Sequence, residues 1–123
     1  MNLQEYIGLP FKQHGRGPEA YDCYGLVRLV YLRELGIPLP DYEYQDKDQW
    51  HQLWEEVNQP RWMRAREPET LDVVLLVAQR NPHIGLYLKG NRMLHVPEHG
   101  ESCIDLLDAP RWRSRIEGYY RYR

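Results

Sequence analysis

Cys23, His83 and His95 are the side chains of this sequence best suited to covalent chemistry. A cysteine sulfur attacks a carbonyl carbon once its proton is removed, and an imidazole removes protons readily near neutral pH. A further group bonded to that imidazole decides which ring nitrogen stays free, a task a second histidine can perform. Cys23 stands in "YDCYGLVRLVY", directly after Asp22, a good helix N-cap. In a first helical turn it meets unpaired backbone N–H groups and the positive end of the helix dipole. That position predicts a thiol pKa below the usual value of about 8.5. The competing reading is a small buried residue in an apolar stripe, where cysteine is common.

His83 opens "HIGLYLK" and His95 lies in the next apolar run, "RMLHV". Gly90-Asn91 lies between them as a hairpin-type turn, and the expectation is that the two imidazoles stand roughly opposite each other on adjoining strands. His83 is then the base that takes the thiol proton, and His95 orients it. A second constellation is "HVPEHGESC", where His95, His99 and Cys103 stand four apart. On a helix these would line up as zinc ligands. Pro97 and Gly100 oppose a helix there, so the expectation is no metal and no cofactor.

These groups need a helix and a sheet to bring them together. Cys23, Leu26, Val27, Val30 and Tyr31 recur at helical spacing, with Gly36 as a C-cap and Pro38 soon after. A second helix is expected through "DKDQWHQLWEEVNQ", with Trp50, Leu53, Trp54 and Val57 on one face and Pro60 at its end. After Pro68 the texture changes to "LDVVLLV", "HIGLYLK", "RMLHV", "CIDLL" and "IEGYYRYR", which read as short strands in succession. The fold class expected is α+β: N-terminal helices packed on an antiparallel sheet of four to six strands, as one domain over 1–123.

The formal net charge of −2 argues against a generally nucleic-acid-binding surface. The C-terminal "RWRSRIEGYYRYR" mixes arginines with aromatics as single-strand binding platforms do. The reading preferred is a last strand with tyrosines on one face and solvated arginines. Two cysteines make no disulfide framework. "MNLQEYIGLPF" has neither a basic n-region nor a long apolar stretch, and no segment reaches the roughly 20 apolar residues of a membrane span. The expectation is synthesis in the cytoplasm, without membrane insertion.

"YDCYGLVRLVY", with "LDVVLL", "HIGLYL" and "MLHV" after it, resembles the NlpC/P60 family of papain-like cysteine peptidases. Tyr24 after the cysteine and the arginine of "GLVR" resemble the subgroup found in phage tail-tip proteins. The resemblance runs from "YIGLPF" to the C-terminus. It implies Cys23 as nucleophile, His83 as base and His95 as orienting residue. It also implies a substrate, the stem peptides of peptidoglycan, cut between D-glutamate and a diamino acid, with phage tail proteins as partners. Two positions depart from the pattern. The family's tyrosine in the loop before the nucleophile corresponds to Phe11, and Tyr24 replaces a small serine. With Asp22, these residues line the expected substrate and oxyanion neighbourhood. The alternative is a domain of the same fold that is silent, serving as a structural part of a tail or cell-wall assembly.

Overall fold

The structure is a computed structural model, and it describes residues 1–42, 49–77 and 82–123. A 3-10 turn at Leu3–Tyr6 leads into an extended segment that hydrogen-bonds to the region before Cys103. Gly8 N–H donates to Ser102 at 2.9 Å and Phe11 N–H donates to Gly100 at 3.0 Å. The chain then loops back to helix α1, Cys23–Val30.

Helix α1 begins where the sequence says it should. Asp22 is extended, and its carboxylate accepts from Gly25 N–H at 2.6 Å, filling one of the donors a helix start leaves open. The helix widens into a π turn at Tyr31–Leu35 and stops at Gly36, which takes the left-handed conformation at φ 67°. Leu26, Val27, Val30 and Tyr31 are buried against the sheet. Helix α2, Gln49–Val57, buries Leu53 and Val57. Trp54 was expected on that face but is 38% exposed, because one residue of helix turns it about 100° from Leu53. The side chain of Trp50 lies outside the described residues.

Six strands follow, β1 Trp62–Ala65, β2 Val73–Leu76, β3 His83–Leu88, β4 Arg92–His95, β5 Cys103–Leu106 and β6 Ile116–Tyr122. They form one antiparallel sheet in the order β1-β6-β2-β3-β4-β5. The expected α+β fold is the one found. Val73, Leu75, Ile84, Leu86, Leu88 and Leu94 face the helices, in the larger apolar cluster. Val74, Leu76 and Met93 face the other side with Leu107, Trp112 and Tyr119. Strand β2 is thus buried on both faces, which is why "VVLL" is continuously apolar instead of alternating.

Three features differ from the sequence reading. Strand β1 was not anticipated; its buried ends flank two exposed residues, so it carries no period-two signal. A short helix α3, Pro110–Arg113, takes up the first residues of the stretch read as an arginine-rich tail. On β6, Tyr120 joins the larger cluster while Tyr119 packs on the opposite face, so the tyrosines do not share one side. Arg121 is not simply solvated either, since it pairs with Asp72 at 2.7 Å.

Candidate active site

The β3–β4 hairpin pairs Leu86 with Leu94 and Leu88 with Arg92. Lys89, Gly90 and Asn91 therefore form a three-residue turn, with Gly90 at φ 89° and Asn91 at φ 56°. Carrying this register onward sets His95 across from Gly85, two residues from His83. The imidazoles are diagonal neighbours and not opposite ones, a separation that long side chains still bridge. They do meet: His83 Nε2 and His95 Nδ1 are 2.7 Å apart, with the rings nearly perpendicular.

Helix α1, which carries Cys23 in its first turn, packs on β3 and β4, the strands that carry His83 and His95. The backbone N–H groups of Ile84, the residue after His83, and of Tyr24 lie within hydrogen-bond reach of the Cys23 sulfur. The thiol is nonetheless not acidic. Burial, and next the Asp22 carboxylate, push it up to about 12 against the pull of those N–H groups and Arg16. The helix-start expectation thus fails for a physical reason. Burial is the larger cause, and the N-cap that begins the helix is itself a carboxylate that spends a helix-start N–H on its own charge. His83 is held down to about 3, first by burial and then by His95 and Arg111. The resting pair is a neutral thiol and a neutral imidazole.

This sets a pH dependence for folding. An unfolded histidine takes up its proton near pH 6.5, while folded His83 does so only near 3. Between those values the unfolded chain holds the extra proton, so stability falls as pH drops below about 6.5. The slope expected from His83 approaches about 1.4 kcal/mol per pH unit. Urea unfolding midpoints measured from pH 7 to pH 5 check this, and His83→Gln is expected to flatten the decline.

The sequence reading missed the rest of the site. Asp105 on β5 accepts from His95 Nε2 at 2.8 Å, from Arg111 at 2.7 Å and from Trp112 Nε1 at 3.3 Å, all on one carboxylate oxygen. Its position follows from β5 pairing, which sets His95 against Cys103 and Met93 against Asp105. Burial alone would raise the Asp105 carboxyl, but His95 and Arg111 outweigh it and hold it below the ordinary range. The Trp112 ring, carried by α3, stacks on His83 at 5.7 Å and meets His95 edge-on at 5.2 Å. It shields both imidazoles on one side.

The zinc set considered from spacing does not assemble. His99 is exposed, beside Glu98 and edge-on to the Phe11 ring. His95, Cys103 and Asp105 do bring donor atoms within 4.8 Å of one another. Arg111 already places a guanidinium on that carboxylate, a charge that opposes a metal dication. At Phe11 no phenol is present, and the hydroxyl of the neighbouring Tyr24 is engaged elsewhere. Tyr24 donates its hydroxyl to the Pro40 carbonyl at 2.6 Å, and the Tyr21 ring and hydroxyl lie against Gly17.

Residues 8–121 match the sequence profile of the NlpC/P60 family. The chain belongs to the NlpC/P60 family. Members of this family are peptidoglycan endopeptidases of the cysteine type. Among curated relatives, the "Probable endopeptidase" of Haemophilus influenzae is 23% identical over 111 residues, covering 88% of this chain and 63% of that protein. The "Gamma-DL-glutamyl hydrolase" of Bacillus subtilis is 29% identical over 126 residues, covering 97% of this chain and 27% of that protein. The chain thus spans well under the full length of these relatives. The crystal structure of the NlpC/P60 domain of peptidoglycan hydrolase SagA superposes with a TM-score of 0.67 at 18% identity, over 94% of this chain and 89% of that one. That likeness concerns the fold. Among the described residues, no helix is long and apolar enough to cross a membrane.

Proposed function

We propose that this NlpC/P60 domain is a cysteine endopeptidase of peptidoglycan stem peptides, with Cys23 as nucleophile, His83 as base and His95 as its orienting partner. The observation that carries the reading is the 2.7 Å contact between His83 Nε2 and His95 Nδ1, with the Cys23 sulfur in reach of the backbone N–H of Ile84, the residue after His83. Because His83 Nε2 is engaged by His95, Nδ1 is the nitrogen left for the Cys23 proton. As the sulfur attacks the amide carbonyl, that proton moves to His83. The backbone N–H of Cys23, in the first turn of α1, is the donor proposed for the developing oxyanion. His83 then delivers the proton to the leaving nitrogen, the C–N bond breaks and a thioester remains. Water attacks the thioester, gives a proton to His83 and releases the acid, and the proton returns to sulfur.

A bond between D-glutamate and a diamino acid is the target proposed. The activity named for the Bacillus subtilis relative, hydrolysis of a γ-DL-glutamyl linkage, supports this choice. The setting proposed is a phage or prophage tail component made in the cytoplasm and acting with tail proteins. Its support is the resemblance carried by Tyr24 and the arginine Arg28 of "GLVR". One observation favours a second reading, a silent structural domain: Phe11 has no hydroxyl, and that of Tyr24 is bonded to the Pro40 carbonyl.

Mass spectrometry of stem-peptide muropeptides incubated with the protein decides between them. Two fragments whose masses sum to substrate plus water are expected. A product carrying an added amine would indicate transfer of the same thioester to another acceptor. Uncut muropeptides and uncut sacculi in the presence of folded protein would overturn the peptidase.

A further inference from the structure

We propose that Asp105 is a positioning residue that sets, through His95, which nitrogen of His83 is free to receive the Cys23 proton. The inference rests on the peptidase reading above for its catalytic consequence, and on the hydrogen bonds alone for its structural one.

The three groups follow a diagonal across neighbouring strands. His95 lies two residues off register from His83, and Asp105 lies two residues off register from His95, whose direct partner is Cys103. The contacts along this line are short, 2.7 Å from His83 Nε2 to His95 Nδ1 and 2.8 Å from His95 Nε2 to Asp105. The proton positions follow from the far end. The Asp105 oxygen that meets His95 also accepts from the Arg111 guanidinium and the Trp112 indole N–H, neither of which can accept in return. It is a carboxylate oxygen among donors, so His95 Nε2 must carry a hydrogen and donate it.

His95 is 1% exposed, and its burial disfavours a second proton on the ring. Its Nδ1 is therefore a lone pair, which makes His83 Nε2 the donor across the 2.7 Å contact. His83 Nδ1 is left bare, as a base requires. One carboxylate thus fixes two tautomers in series. An amide at position 105 would break this logic, because it can offer His95 either an acceptor or a donor. The reversed chain would place a hydrogen on His83 Nδ1 and block proton transfer from sulfur. Arg111 and Trp112 complete the device by holding the carboxylate in place. Cys103, with its sulfur 3.7 Å from His95 Nε2, is a weaker partner and does not set the ring.

The test is long-range proton–nitrogen NMR of the whole protein labelled with 15N-histidine, at pH 7. Both His83 and His95 are expected to show a protonated Nε2 and a bare Nδ1. A hydrogen on Nδ1 of either ring in the wild type would overturn the proposal, whether or not the protein cleaves muropeptides. In Asp105→Asn both rings are expected to become tautomer mixtures together. Its kcat on muropeptides is expected to fall roughly 10²-fold with KM unchanged, short of the ~10⁴-fold loss when a triad histidine directly loses its orienting carboxylate. An Asp105→Asn protein with wild-type tautomers and wild-type kcat would also overturn it. If that variant fails to fold, the wild-type spectrum still decides. If no muropeptide is cut, the peptidase reading fails while the spectrum judges the relay separately.

Discussion

Cys23→Ala is expected to abolish amide cleavage, with turnover falling roughly 10³- to 10⁶-fold, while the protein stays folded. Removing a nucleophile from a covalent mechanism leaves only the catalysis that substrate binding and oxyanion contacts supply by themselves. The variant should tolerate the change because little is taken away. Cys23 is 6% exposed and the substitution removes one sulfur, a cavity-scale cost of about 1 kcal/mol. Its thiol is neutral at rest, held up to about 12, so no ion pair is lost. The same fact predicts that iodoacetamide labels wild-type Cys23 slowly at pH 7 and faster only at strongly alkaline pH. Turnover near neutral pH does not need a standing thiolate, since His83 takes the proton as the carbon–sulfur bond forms. Muropeptide digestion followed by mass spectrometry, with a melting curve for each protein, checks both halves. Substantial cleavage by Cys23→Ala would remove Cys23 from the role proposed for it.

Gly25→Ala is expected to destabilise the fold by about 2–3 kcal/mol and to impair the site with it. A Cβ at position 25 would stand 2.1 Å from the carbonyl oxygen of Gly15 and 3.1 Å from the Asp22 carboxylate. The first of these is backbone and cannot swing aside. That carbonyl accepts from Asp22 N–H at 3.0 Å and from Arg16 at 3.1 Å, so moving it releases the N-cap and the loop before the nucleophile together. Alanine gains about 1 kcal/mol of helix propensity over glycine, and overpacking against fixed backbone outweighs that gain. Gly36→Ala is the comparison, since nothing lies within 4 Å of a Cβ there and only the left-handed φ resists it. Its cost is expected near 1 kcal/mol. Denaturant unfolding of the two variants side by side tests the contrast, and an equal small effect at both positions would refute it.

What could be read from the residues depended on how local the signal was. Asp22, Gly36 and the stripe from Leu26 to Tyr31 act within one helix, so α1 was legible with both its caps. Strands β2 to β5 announced themselves as apolar runs parted by turn residues. The pairing of His83 with His95 was legible as a meeting but not as a register. A two-residue turn at Gly90-Asn91 would set His95 across from Leu86 with its side chain on the other face from His83, whereas the three-residue turn sets it across from Gly85 and on the same face as His83. Asp105 was invisible for the same reason, because its place beside His95 depends on how the loop between β4 and β5 aligns the two strands. Gly25 gave no sign either, since the oxygen that forbids a side chain there belongs to Gly15, ten residues earlier. The thiol pKa was misjudged because helix geometry was visible in the sequence, whereas the depth of burial was not.

Strand β6 lies between β1 and β2, and residues 116–122 are hydrogen-bonded to both. On a ribosome, strands β1 to β5 emerge before β6 does. Until Tyr122 clears the exit tunnel, β1 has no partner and β2 presents an open edge. Strand β1 therefore joins the sheet only through β6, which is made after every residue of the proposed site. A nascent chain exposes that edge to neighbouring polypeptides for as long as the last strand is missing.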